Sequence, residues 1–339
     1  MRLASFIVAL CTSGACACTI PVFRFALDRW EADKFHLVLP QAAAGTPEIQ
    51  DLLRPLRANG KANLDIATST DAAQKETVLR YSRESEKQVW SGKLDAATLG
   101  AVLDSPARKK LVQQLLAGDS VIWVIADSGS PVDVLEAERL EKRLKFLEQV
   151  ASLPIQDPND PDSQLGPGPP LRLKFSTLRL RRDDPAEQLL LRMLVGPQGT
   201  FDPATTSFAG AVFGRGRVLG AWPLDILDDA SLEDACMFLV GRCGCRLKNE
   251  SPGWDILLNI DWEKALPAAA LSETKPEATA PLPAPLPELR EMIPPTALPE
   301  VMNIIPEPEP TPHLNRRSLI MGLAVGLVLL FLIPRWLRK

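Results

Sequence analysis

Apolar and polar positions alternate differently in the two halves of this chain, and the second half is the easier to read. Val121-Ile-Trp-Val-Ile125 is a continuous apolar run rich in β-formers, the pattern of a strand covered on both faces. It ends in the turn Asp127-Ser-Gly-Ser-Pro131, after which Leu140, Leu144, Leu147 and Val150 recur on one helical face. A loop rich in Pro, Asp and Gly spans Pro154 to Pro170, and Leu173 to Leu180 alternates as a strand. Asp184 followed by Pro185 predicts a capped helix start, with Leu189, Leu190, Met193 and Leu194 on its buried side. Ala211-Val-Phe213 and Val218-Leu219 flank Gly214-Arg-Gly-Arg217 as a hairpin. A helix from Ser231 to Val240 and a short strand from Asp255 to Ile260 complete this half.

In the first half, Cys18-Thr-Ile-Pro21 opens a helix that reaches Trp30. A strand from Phe35 to Leu39, a helix from Thr46 to Leu56 and a strand from Asn63 to Thr68 follow. Val78 to Tyr81 and Gln88 to Trp90 form a second hairpin, and helices run from Asp95 to Leu116.

The ends follow other rules. Residues 1–17 carry Arg2, a short apolar run from Leu3 to Cys11, and Ala15-Cys-Ala17, the small-x-small pattern of a signal peptide cleaved before Cys18. Lipidation needs an apolar residue three places before the acylated cysteine. Ser13 precedes Cys16 and Ala15 precedes Cys18 at that spacing, so ordinary cleavage is preferred. Residues 265–315 form a proline-rich linker. Thirteen prolines from Pro267 to Pro312 oppose helix and sheet and favour an extended spacer. Residues 318–337 contain an apolar run from Leu319 to Ile333, flanked by Arg316, Arg317, Arg335, Trp336, Arg338 and Lys339, the pattern of one transmembrane helix. A signal peptide ahead of a single span puts the body in the periplasm, the tail in the cytoplasm and the anchor in the inner membrane. Gly322 and Gly326 offer a close-packing face for weak homodimerisation.

Composition removes several functions. A formal net charge of −4 argues against nucleic acid as a partner. Only two histidines are present, and His313 lies in the linker, so neither a histidine-based triad nor a two-histidine metal site is expected. After cleavage, Cys18, Cys236, Cys243 and Cys245 remain as disulfide candidates, with three pairings open. Cys243-Gly-Cys245 lacks the paired C-x-x-C spacing of zinc ribbons, so no metal is expected. Two thiols so close can make a strained, reducible pair suited to thiol exchange, and a helix start at Cys18 would favour its thiolate for the same chemistry. A structural bridge needs no such chemistry and is preferred. Gly214-Arg-Gly-Arg217 lacks the Lys-Ser/Thr of a phosphate loop, and no cofactor is expected. Arg179, Arg181 and Arg182 read as a solvated patch, and Trp254 and Trp262 as core or docking aromatics.

The order β-α-β-α-β-β-α from Val121 onward resembles the thioredoxin-like fold, with Asp127 to Pro131 where thioredoxins carry their Cys-x-x-Cys turn. That turn has no cysteine, and Ala211 stands near the position of the proline that faces the redox pair. The first half resembles a diverged copy. The resemblance implies an α/β fold of two tandem thioredoxin-like units, residues 18–118 and 119–264, without the redox turn. Cys18, Pro21, Arg24 and Trp30, with Cys243-Gly-Cys245, Pro252-Gly253 and Asp255 to Trp262, also resemble an uncharacterised family of bacterial envelope proteins. That resemblance implies no activity. The expectation is a membrane-anchored scaffold or docking protein for an envelope or inner-membrane partner. The alternative is a thiol–disulfide oxidoreductase using Cys243 and Cys245, with Cys18.

Overall fold

Strand β1 (Phe35–Leu39) follows helix α1 (Val22–Arg29) and alternates buried and half-exposed residues. In the computed structural model, which describes residues 19–273 except 82, 84–86, 158, 243–247 and 251, that alternation marks a sheet with two unlike faces. A short helix α2 (Gln41–Ala44) and helix α3 (Pro47–Asn59) lead to β2 (Leu64–Thr68), which pairs parallel with β1. Strands β3 (Thr77–Arg80) and β4 (Gln88–Gly92) pair antiparallel, giving a four-stranded sheet of order β2-β1-β3-β4. Helices α4 (Ala96–Leu103) and α5 (Pro106–Leu116) follow. Each starts on a side-chain cap: Asp95 accepts from the Thr98 N–H at 2.8 Å and Ser105 from the Arg108 N–H at 3.3 Å.

The second sheet repeats this order. Strand β5 (Val121–Asp127) is central, parallel to β6 (Phe175–Arg181) and antiparallel to β7 (Phe208–Phe213). Beyond β7 lie β8 (Arg217–Pro223) and the two-residue β9 (Trp254–Asp255). Helix α6 (Pro131–Val150) joins β5 to β6, α7 (Gln188–Val195) joins β6 to β7, and α8 (Asp229–Val240) follows β8. Helix α9 (Trp262–Glu273) closes the described chain. The protein is therefore mixed α/β with two sheets of matching strand order. Among the described residues no helix is long and apolar enough to cross a membrane. The signal peptide, most of the linker and the anchor expected from the sequence lie outside the described residues.

Every residue of β5 is buried, because apolar clusters lie against both of its faces. Ile122, Val124 and Ala126 join a cluster with α5, α7 and the inner face of the first sheet, through Leu37, Leu79 and Leu111. Val121, Trp123 and Ile125 join the other, with α1, α6 and α8. Helix α1, though it precedes β1, packs into this second cluster through Phe23, Phe25 and Ala26. One core thus runs across the boundary expected at residues 118/119, and the described residues all lie in one compact unit.

The sheets differ where a helix is left out. The second sheet has α7 between β6 and β7. In the first sheet, residues 69–76 join β2 to β3 without a helix. On that outer face His36 lies between Asp65 and Arg80, and Val38 between Ala67 and Val78. His36, Val38 and Val78 belong to neither apolar cluster.

Buried charges stitch the halves together. Arg108 donates to the carbonyls of Val102 at 2.8 Å and Leu257 at 3.5 Å. Burial pushes its guanidinium down to about 10, against the attraction of Asp104 and Glu187. The Glu187 carboxylate accepts from Ser105 Oγ at 2.6 Å and from the Ala107 N–H at 2.8 Å, tying α5 to α7. Arg217 pairs with Asp255 at 3.1 Å, and Lys248 reaches both Asp255 and Asp33. Arg24 pairs with Asp28 at 2.9 Å, donates to the Gly166 carbonyl at 3.0 Å and to that of Pro169, and so holds the proline-rich loop.

Several expectations are corrected. Helix α7 begins at Gln188, not at Asp184: the Asp184 carboxylate accepts from the Ala186 N–H at 2.9 Å and holds a separate turn. The Glu187 side chain faces α5 and leaves its own helix uncapped. The final strand stops at Asp255, because Asn63 takes over: its Nδ2 donates to the Ile256 carbonyl at 3.1 Å and its Oδ1 accepts from the Leu258 N–H at 2.8 Å. Helix α9 runs through Pro267, which the proline count placed in the linker, with Trp262 and Leu266 buried in the core. Val150 is exposed, one turn beyond the last buried residue of α6. Ala211 lies inside β7 opposite Trp123, and Ser207 precedes the strand.

Candidate docking groove

Beyond the carboxyl end of β1 the chain opens into a groove of about 840 Å³. Pro40 ends the strand, and α2 with Thr46 sets the entry to α3, the Thr46 hydroxyl donating to the Ala43 carbonyl at 3.0 Å. Ile49, Leu52, Leu53 and Leu56 recur at helical spacing on α3. Leu53 is fully buried, while Ile49 and Leu52 keep one side to the groove. The opposite wall comes from the end of β4 and the start of α4, Gly92 to Ala96, and the third from Lys75 to Thr77.

The floor is apolar, from Pro40, Ala43, Ile49, Leu52 and Leu94, and the rim is charged with both signs. Glu48, Glu76 and Asp95 face Lys75 and Lys93. Asp95 is held below the usual carboxylate range, chiefly by the Thr98 backbone N–H and then by its hydroxyl. Its carboxylate is committed to the helix start rather than to proton transfer. Among the described residues the lining contains no cysteine, histidine or serine, and what they offer is shape, apolar contact and charge.

The matching position in the second sheet is differently filled. The turn after β5 is closed on itself: Asp133 on α6 accepts from the Ser128 N–H at 2.9 Å, from the Ser128 hydroxyl and from Ser207 Oγ at 2.6 Å. Burial raises its carboxyl, but the bonds from Ser128 and Ser207 prevail and leave it lowered. Gly129, at φ 72°, lies under the Arg181 guanidinium, where a Cβ would clash. Arg179 pairs with Asp127 at 3.0 Å, and Arg182 donates to the Thr205 carbonyl at 2.6 Å, so two of the three arginines expected to be solvated are engaged in the fold.

Of the four candidate cysteines, Cys18, Cys243 and Cys245 lie outside the described residues. Cys236 is a free thiol buried on α8, and desolvation pushes it up to about 12, so it is not a nucleophile at neutral pH. Gly214 to Arg217 is the turn and first residue of the β7–β8 hairpin, with Arg217 buried on Asp255. Trp262 is core, and Trp254 donates from Nε1 to the Met193 carbonyl at 2.8 Å. Among the described residues no group of three or more His, Cys, Asp or Glu is placed to hold a metal.

Sequence reasoning missed the groove, because Pro40, Ile49, Leu52 and Leu94 come from three separate segments. It also missed the buried polar contacts, although the Arg24–Asp28 spacing of four was a readable helical pair. No protein-family model matches the chain, and no curated protein matches it.

Proposed function

We propose that this chain is a membrane-anchored extracytoplasmic docking protein, built of two tandem diverged thioredoxin-like units, that holds an extended segment of an envelope partner in the groove beyond β1. The order β2-β1-β3-β4, with its first strand central and parallel only to the second, supports the thioredoxin-like reading, and β6-β5-β7-β8 repeats it. In open α/β sheets ligands bind outside the carboxyl ends of the strands. The observation that carries the reading is the groove itself: an apolar floor open at that end, with a rim that matches charges of either sign. The signal peptide and anchor expected from the sequence give it a periplasmic body on the inner membrane.

The test is photo-crosslinking from positions 75 and 93 of the full-length chain in native membranes, with position 110 on α5 as the control. Discrete adducts from the two groove positions, lost in Ile49→Asp, are expected. Adducts of the same pattern from position 110, or none from the groove, would overturn the proposal.

One observation favours the second reading, thiol–disulfide exchange by Cys243 and Cys245 with Cys18. Pro21 pairs with Arg242, and the Val22 N–H donates to the Gly241 carbonyl at 3.1 Å. The stretches leading to Cys18 and to Cys243 therefore run side by side at the edge of the described residues. Mass spectrometry of the thiols across redox buffers separates the cases. A bridge resisting strong reductant is structural, whereas a pair that exchanges near the potentials of thiol oxidoreductases supports catalysis.

A further inference from the structure

On the opposite side of the sequence from the groove, α6 and the corner after β8 leave a second cleft, about 600 Å³ in volume, whose lining combines exposed aliphatic groups with negative charge. Val132 and Ile226 line it at 69% and 65% exposure, and Leu135, one helical turn from Val132, is 65% exposed. Isolated exposed aliphatics are ordinary, but a patch set in a charged rim marks a contact surface. The lining holds five carboxylates, Asp133, Glu136, Asp225, Asp228 and Asp229, against one guanidinium, Arg139. Arg139 is already engaged: it donates to Glu136 at 2.8 Å, to Asp229, and to the Leu227 carbonyl at 2.5 Å, fixing α6 to the corner. Asp133 is engaged within the turn after β5, and Asp228 accepts from the Ser231 N–H at 2.8 Å at the start of α8, which leaves Asp225 the most open of the five. The negative surplus of this one cleft equals the formal charge of the whole chain, −4.

We propose that this cleft docks a cationic amphipathic segment of a protein partner, its apolar side chains on Val132 and Ile226 and its lysines or arginines on Asp225 and the carboxylates around it. The Arg139 clamp makes the floor rigid, so the partner meets a preformed surface. A negatively charged lipid surface is disfavoured by the same carboxylates. This surface is separate from the groove beyond β1, and the two stand or fall independently.

The probe is a short helical Lys/Leu peptide titrated by fluorescence anisotropy against the full-length chain in zwitterionic nanodiscs, with empty nanodiscs as the reference. A Glu/Leu peptide of the same pattern is the comparison. Binding of the Lys/Leu peptide above the reference is expected, weakening as salt is raised. Ile226→Ser and Asp225→Lys each weaken it on the order of tenfold. Both residues are exposed, so the variants keep the fold, and Glu76→Lys in the groove leaves this binding unchanged. Equal binding by Ile226→Ser and Asp225→Lys, equal binding of the Glu/Leu peptide, or no binding above empty nanodiscs would overturn the proposal. Loss of binding on Glu76→Lys alone would assign the peptide to the groove instead.

Discussion

The two sheets share a strand order and differ by one helix. In the second, α7 fills the connection between β6 and β7, both faces are covered, and β5 is buried throughout. In the first, the corresponding connection is a turn, β1 alternates, and its outer face shows His36 and Val38. Strand order alone therefore does not set how much of a sheet is buried. What differs is whether each crossover carries a helix: α7 joins β6 to β7, whereas residues 69–76 join β2 to β3 without one.

The largest expected effect lies at the centre of the covered sheet. Trp123 is fully buried and tilts against Trp222 with ring centroids 5.7 Å apart. Trp123→Ala is expected to cost about 3–5 kcal/mol in denaturant unfolding. Val38→Ala, on the outer face of the first sheet, is expected to cost less than about 1 kcal/mol. Similar losses at the two sites would break the comparison.

Next comes the joint. Glu187 meets α5 through Ser105 and Ala107, and Glu187→Ala leaves those donors and the Arg108 guanidinium without that carboxylate. A loss of about 1.5–3 kcal/mol is expected, the range for hydrogen bonds to a charged group. Hydrogen exchange should quicken in α5 and α7 together. Faster exchange in α7 alone would mean that the halves open separately, despite their common cluster.

A kinetic difference should follow at Cys236. With its thiol buried and pushed up to about 12, alkylation at neutral pH is expected only through opening of the α8 layer. Peptide mapping after timed alkylation should find Cys236 unmodified in the native protein and modified in Trp123→Ala, whose ring faces that thiol. Rapid native labelling would show that the second sheet is less firmly covered than its burial implies.

How much of this was readable in the sequence follows the same contrast. The continuous run Val121 to Ile125 announced a doubly covered strand, and the β7–β8 hairpin was marked by its glycines, because both signals are local. The start of α7 was misplaced because Glu187 serves a helix far away in the chain, and the final strand was overextended because Asn63 replaces a strand partner. The usual effect of proline puts Pro267 in the linker, while burial of Trp262 and Leu266 keeps it in α9. The groove was invisible for the same reason: its walls are contiguous only in space. Asp184-Pro185 illustrates the limit well, since the local motif is real but makes a turn rather than a helix cap.

The smallest effect tests the closed turn of the second sheet against the open groove of the first. The Asp133 carboxyl is lowered in the fold by Ser128 and Ser207, which outweigh its desolvation, so the ionised form is the one the fold favours. A carboxylate whose pKa falls on folding adds stability above its unfolded value, near 3.9, and that part is lost as pH drops through the folded value. Asp133→Asn should therefore flatten the acid limb of the stability curve slightly, its difference from the unaltered chain shrinking as pH falls below about 3.9. Asp95 at the groove is also lowered, but by its own helix start, so Asp95→Asn should act on α4 and leave the second sheet's acid limb alone. If the two substitutions proved indistinguishable by residue-resolved hydrogen exchange across pH 3 to 6, the turn would not be a separate device. The two strand ends would then differ only in shape, one open and the other closed among the described residues.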